Sequence, residues 1–365
     1  NWWLDLDPKV ALAAQAARDA AIAQRQAARA AFSAEITPAQ QARLDKISDK
    51  LLAYQLDPAK RLTVALDTFG GAVDASDTGT GKTYSSLATA IILGRPVFVV
   101  CPKAVIPSWK KVGRPFDIPV PTCNYELLRR GEQDALHLEN FGTKNEQLVW
   151  KLPKDTIIIF DECHRLKDYR TQNCKMGLRA IEQGYTVLGL SATAADNPLQ
   201  MKFIGSLCRL FPTKDFWKWA LDNGCAKGTW GFEFVGGNKV LQRIHEEIFP
   251  LHGARVRIAD LGDAFPETQI TAEVYELNGN TAELNSVYDE MDAEIARIEA
   301  KEEADSFKSA CILTAQLRAR QRAEILKVPA TAAMAKDLEE EGMSVAIFCN
   351  YDDTVNALMA KLGTD

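Results

Sequence analysis

The chain has 365 residues, room for two domains of ordinary size, with 47% of them apolar and 25% charged, the profile of a soluble globular protein. No apolar run approaches the roughly 18 residues of a membrane span, and the eight scattered cysteines form no C-x-x-C pair, which argues against a disulfide framework or zinc site and for reduced thiols in a cytosolic protein. The net charge of −6 excludes an indiscriminate polycation but leaves room for a local basic channel.

The sequence begins at Asn1 without a charged-then-apolar leader, which reads as a trimmed start; a cytoplasmic or nucleoid-associated protein is expected, not a secreted one. Residues 9–34 are alanine-rich and predict a helix that ends before Thr37-Pro38. Arg18, Arg25 and Arg29 fall near one face of it, a stripe that fits solvent, a nucleic-acid backbone or an acidic protein partner. Next come apolar runs that predict strands: "GGAVDA" (70–75), "VFVVC" (97–101), "TIIIF" (156–160) and "TVLGLS" (186–191). All but the first are continuously apolar, as central strands of a parallel sheet covered on both faces must be. "KTYSSLATAIILG" between the first two predicts a helix closed by Gly94 and Pro96. Strand, helix, strand implies right-handed crossovers in an open α/β sheet. Residues 281–327 are helical in pattern, acidic in their first half and basic around Arg318, Arg320 and Arg322. "MSVAIFCNYDDTVNALMAKL" (343–362) predicts one more strand and one more helix.

Polar residues follow each run directly, and open parallel sheets bind ligands beyond the carboxyl ends of their strands. In "SDTGTGKT", Gly79 and Gly81 let the backbone turn so that the amides of Thr78, Gly79, Thr80 and Gly81 face phosphate oxygens. Lys82 would reach the β- and γ-phosphates, Thr83 would offer a hydroxyl to Mg²⁺, and a helix starting at Lys82 adds its positive dipole end. Ser76 stands where the strict pattern has glycine, a position that mainly needs a small residue. Alone, the stretch could be a flexible turn. "IIIFDECH" argues otherwise: Asp161 at a buried strand end would hold Mg²⁺ and Glu162 would polarise the attacking water, and adjacent carboxylates make sense there only with a cation nearby.

These residues resemble the superfamily-two helicase and translocase ATPases, and more closely their Swi/Snf-type branch. "LLAYQ" (51–55) is similar to the family's leading Tyr-Gln, which assigns Gln55 to adenine; "ASDTGTGKT" and "DECH" are similar to its two nucleotide motifs. "VVCPKAVIPSWKK" (99–111), "CNYELL" (123–128), "DECHRLKD" with "LGLSATAADNPLQ", and "RVRIADLGDAFPET" match further elements in order. Two positions depart from the branch: Ser191-Ala192-Thr193 where most members have Thr-Gly-Thr, and Cys163 before His164 where alanine is usual; both fit the wider superfamily.

The resemblance implies ATP and Mg²⁺ as cofactors, Lys82, Asp161 and Glu162 as catalytic, and His164, Ser191 and Thr193 as the coupling to nucleic acid. It puts Pro102, Lys103, Trp109, Asn124 and Tyr125 along the track, with core packing equally open for Trp109 and Tyr125. Backbone amides, short polar side chains and a lysine suit phosphate contacts that carry little base specificity. The expected organisation is an N-terminal helical extension (1–36), a RecA-like ATPase lobe with a parallel sheet (37–255), a helical bridge (256–327) and the start of a second RecA-like lobe (328–365), in which Phe348 to Tyr351 take the place of a further motif. The leading function is an ATP-driven motor on duplex DNA that needs a complete second lobe for full activity, with no membrane partner. The alternative is a catalytically weak ATP-binding module that loads onto a larger nucleic-acid machine.

Overall fold

The structure, a computed structural model, describes residues 35–139, 147–229, 231–262, 277, 280–301 and 304–363. The alanine-rich stretch 9–34 and its arginine stripe lie outside them. The chain divides into two compact units, Asn1–Glu267 and Thr268–Asp365.

Unit one starts with a reciprocal cap. Thr37 Oγ1 accepts from the Gln40 amide at 3.3 Å and Gln40 Oε1 accepts from the Thr37 amide at 2.9 Å, so Pro38 opens α1 (Pro38–Asp45). Helix α2 (Ala53–Phe69) stops at Gly70, whose φ of 68° releases the chain into β1 (Gly71–Asp74). Then follow α3 (Lys82–Leu93), closed by Gly94 as expected, β2 (Val97–Cys101), α4 (Ile106–Phe116), β3 (Thr122–Asn124) and the single turn α5 (Tyr125–Leu128). A small antiparallel sheet of β4 (Glu132–Gln133), β5 (Leu136–Glu139) and β6 (Gln147–Trp150) precedes β7 (Ile157–Asp161). After it come α6 (Gln172–Glu182), β8 (Thr186–Leu190), α7 (Lys202–Leu207), α8 (Phe216–Asp222), the hairpin β9 (Cys225–Gly228) and β10 (Gly231–Phe234), α9 (Asn238–Ile248) and β11 (Gly253–Ala254).

The main sheet has the order β11-β1-β8-β7-β2-β3 and is parallel at every pairing. Successive side chains point to opposite faces. On β7, Ile157 and Ile159 therefore pack with Val97, Val99, Leu188 and Leu190 on one side, while Ile158 and Phe160 join Val100 and Val187 on the other. Two apolar layers explain the unbroken runs in the sequence. Because all strands run the same way, β1, β2, β7 and β8 end at one edge, and that edge carries the motifs.

Unit two contains α10 (Thr281–Glu299), α11 (Asp305–Glu340) and α12 (Asp352–Leu362). Helix α11 runs unbroken through Pro329, and so through the 327–328 division expected between bridge and second lobe. It buries a stripe of small residues, Ala315, Ala319, Ala323, Val328, Ala332 and Ala335. The strand expected before α12 does not form. Residues 344–349 carry no ladder, and Phe348 is 95% exposed. A strand exists only by pairing, and no strand is assigned among the described residues of this unit.

Candidate nucleotide site

The loop between β1 and α3 takes the shape of a phosphate cradle. Gly79 (φ 85°) and Gly81 (φ 84°) both adopt left-handed backbone, which L side chains rarely tolerate. At Gly81 a Cβ would also lie 2.1 Å from Gln55 Nε2. Lys82 Nζ donates to the loop carbonyls of Ser76 (2.8 Å) and Asp77 (3.0 Å). Thr80 is buried and its hydroxyl donates to Asp77 O at 2.7 Å; Thr78 and Gly79 are exposed at the tip. Thr83 sits half-buried in the first turn of α3.

Gln55, which the resemblance assigns to adenine, braces the loop in this structure. It is buried in the first turn of α2, its Oε1 accepts from Leu52 N at 3.0 Å, and its Nε2 donates to Thr80 O at 3.0 Å. Both ends of the amide thus brace the loop against α2. Sequence reasoning also missed what Ser76, Asp77 and Asp74 do. The segment after β11 continues as a ladder along the loop: Ala75 N donates to Ala254 O and Asp77 N to Val256 O, both at 2.9 Å. Val256 N donates to Ser76 Oγ at 3.0 Å and Ile258 N to Asp77 Oδ2 at 2.9 Å. A glycine at 76 would lose one of these links. Asp74 is buried at the end of β1, where its Oδ1 accepts from Ser76 N at 3.0 Å and its Oδ2 has no partner. Burial pushes its carboxyl above the ordinary range, against the pull of the Ser76 hydrogen bonds and the Lys82 charge. A lone aspartate inside an otherwise apolar run was the available signal.

Asp161 ends β7 between two aromatic donors. Its Oδ2 accepts from Trp109 Nε1 at 2.7 Å, its Oδ1 from Glu162 N at 3.0 Å, and its carbonyl from Tyr125 Oη at 2.7 Å. Burial raises its pKa, the Trp109 hydrogen bond lowers it, the Glu162 charge raises it, and the Glu162 amide and Lys82 charge lower it again. The Lys82 charge is felt at both Asp74 and Asp161. The two motifs therefore face a common space, on strands two places apart in the sheet, roughly 10 Å by strand spacing.

Glu162 adopts φ 53°, ψ 50°, a left-handed conformation that costs a non-glycine residue about 1–2 kcal/mol. Strain of this kind concentrates at functional sites. His164 Nδ1 lies 3.1 Å from Glu162 Oε2 and 3.2 Å from Ser191 Oγ, and Ser191 Oγ accepts from Thr193 N at 3.2 Å. Ser191 N in turn donates to Asp74 O at 3.1 Å. One chain of contacts thus connects β1, the acid pair on β7 and the Ser-Ala-Thr turn after β8.

The track candidates divide. Lys103 is exposed and Pro102 half-buried in the turn before α4. Trp109, Asn124 and Tyr125 are buried: for Trp109 and Tyr125 this is the core-packing alternative, and for Asn124 the expectation of an accessible track contact is corrected. Asn124 Oδ1 caps α5 by accepting from Leu127 N at 2.8 Å, while the two aromatic side chains hold Asp161. Apolar bodies with one polar tip suit that inward role.

The residues present fit ATP and Mg²⁺. The cradle has no room for a Cβ at Gly81, and the donor set of a hydroxyl (Thr83) and a carboxylate (Asp161) is the hard-oxygen chemistry Mg²⁺ prefers. Mg²⁺ in such sites relies on one or two carboxylates plus substrate phosphates. No cluster of three or more His, Cys, Asp or Glu side chains placed to hold a metal ion occurs among the described residues.

Residues 33–196 match the family model of the type III restriction enzyme res subunit. A protein of Acanthamoeba polyphaga mimivirus that bears the name "Putative ATP-dependent RNA helicase L364" is 30% identical over 350 residues, 87% of this chain and 64% of that protein. The Bos taurus SWI/SNF-related matrix-associated actin-dependent regulator of chromatin subfamily A-like protein 1 is 25% identical over 215 residues, 55% of this chain and 22% of that protein. The chain thus spans less than two thirds of either relative's length. Among solved structures, the Sulfolobus solfataricus SWI2/SNF2 ATPase core in complex with dsDNA aligns at a TM-score of 0.42 and 16% identity, over 84% of this chain and 68% of that one. With its nucleotide motifs on one sheet edge, the chain is similar in sequence to superfamily-two helicase-type ATPases, relatives of the Swi/Snf branch among them.

Proposed function

We propose that the chain is the ATP-hydrolysing part of a nucleic-acid motor, moving on duplex DNA through backbone contacts and working in the cytoplasm or at the nucleoid. Lys82 and the 78–81 amides hold the triphosphate, Thr83 and Asp161 hold Mg²⁺, and Glu162 orients the attacking water. His164, Ser191 and Thr193 pass the state of the site to the track, where Pro102 and Lys103 are the accessible contacts. The observation that carries this reading is the continuous set of contacts from Asp74 through Ser191 and His164 to Glu162, which makes one unit of three strand ends. The name of the viral relative points to RNA and that of the bovine relative to chromatin, so the polymer is the variable to test. ATPase rates would be measured with no nucleic acid, single-stranded DNA, duplex DNA and RNA. Stimulation by duplex DNA above the others supports the reading; stimulation by RNA alone transfers it to RNA, and indifference to all polymers sinks the motor.

A second reading is an ATP-binding module that regulates a larger machine. An arginine supplied from elsewhere is worth roughly 10³–10⁵ in rate in such enzymes. On that ground the chain by itself is proposed to bind ATP·Mg²⁺ and turn it over slowly.

A further inference from the structure

Trp109 is 1% exposed, yet its burial serves more than packing. A phenylalanine or leucine would fill that volume. Only an indole fills it and also sends an N–H to Asp161 Oδ2 at 2.7 Å, the short end of the range for N–H···O bonds and typical of a charged acceptor. We propose that Trp109 is the positioning residue that presents Asp161 to a divalent cation, holding one carboxylate oxygen so that the remaining lone pairs face the phosphate loop. The inference rests on the ATP·Mg²⁺ reading of the site.

The geometry supports it in two ways. An ionised carboxylate has about four lone-pair sites, and the indole nitrogen is a donor only. Trp109 occupies a site on Oδ2 and the Glu162 amide, at 3.0 Å, one on Oδ1, so a rotation of the carboxylate would break both bonds together. Second, Trp109 belongs to α4, which begins just beyond the exposed Lys103 turn, and β2 pairs with β7 up to Val100 and Phe160. The element that leads from the accessible turn is thus the element that holds the cation's carboxylate. Outer hydrogen bonds of this type are worth 10- to 100-fold in metal affinity.

The test is Mn²⁺ binding, followed by electron paramagnetic resonance, to the whole chain with a non-hydrolysable ATP analogue. Alongside it, metal-free binding of a fluorescent ATP analogue is measured in chelator. Trp109→Phe should weaken Mn²⁺ by 10- to 100-fold and leave metal-free nucleotide affinity within about twofold. Tyr125→Phe, which removes the donor to the Asp161 carbonyl and not to its carboxylate, should weaken Mn²⁺ less than threefold. If Trp109→Phe does not fold, benzothienylalanine at position 109 keeps the ring shape and replaces only the N–H by sulfur. Unchanged Mn²⁺ affinity in either replacement overturns the inference, as does an equal loss in Tyr125→Phe or an equal loss of metal-free nucleotide. Wild-type protein that binds nucleotide without any Mn²⁺ dependence overturns it too, and separates that failure from a chain that binds no nucleotide, which would take the proposed function with it.

Discussion

Lys82 donates to two carbonyls of its own loop, contacts that the proposed function has it exchange for phosphate oxygens. Lys82→Ala is therefore expected to abolish nucleotide binding in a fluorescent-analogue titration. Glu162→Gln should bind as the wild type does and lose turnover by roughly 10²–10⁴, the range for loss of a general base; identical outcomes for the two variants would refute the division of roles. Gly81→Ala combines a forbidden φ with a Cβ 2.1 Å from Gln55 Nε2. It should cost about 1–3 kcal/mol in denaturant unfolding and loosen nucleotide binding through the displaced glutamine. Asp74 predicts a pH effect. Its folded pKa lies above the ordinary 3.8, so between those values the native form keeps a proton that the unfolded chain releases. Stability contributed by this group thus falls as pH rises through that window and levels off above it. Asp74→Asn should flatten the melting-temperature profile there, and a slope identical to wild type would show that Asp74 does not titrate as described. At this scale the glycines, Lys82 and the acid pair were legible in sequence, because their chemistry is local to a motif. The contacts of Gln55 with Thr80, of Ser76 with Val256 and of Trp109 with Asp161 were not, since each spans at least 25 residues.

Elements differ in how much of their definition is local. Helix α1 is set by Thr37 and Gln40 within one turn; Thr37→Ala should cost about 1 kcal/mol in chemical denaturation, seen as a lower midpoint with an unchanged slope. Helix α6 shows the opposite case. Gly177 lies inside it, where alanine would ordinarily add about 1 kcal/mol of helix propensity. A Cβ there would meet Leu166 Cδ2 at 2.2 Å and Phe203 Cε2 at 2.7 Å, so the close approach of α6 to its neighbours wins. Gly177→Ala is expected to destabilise by about 1–3 kcal/mol, as overpacked cores do; a rise in the unfolding midpoint would contradict the packing. Continuous apolar runs read correctly as β2, β7 and β8, because burial on both sheet faces leaves only one pattern. The run at 344–349 has similar composition but no ladder. Apolar composition permits a strand, whereas pairing makes one.

For the whole molecule, the parallel sheet converts separated motifs into one site. Strands β1, β8 and β7 lie side by side in the sheet although their motifs are more than a hundred residues apart at the extremes. The corresponding prediction is that these 365 residues bind ATP·Mg²⁺ tightly enough to titrate yet turn it over slowly; fast duplex-stimulated hydrolysis would refute the second reading. Sequence alone determined the α/β class, the glycine loop, the acid pair and the family resemblance, because each follows from periodicity or from neighbours within a few residues. Only tertiary structure decided that Trp109 and Tyr125 turn inward to Asp161, that the segment after β11 is laced to the nucleotide loop, and that α11 runs through a division read from sequence. The physical reason is that hydrogen-bond donors find acceptors by proximity in the folded core, and strand order, which brings distant residues together, is written in no local stretch of chain.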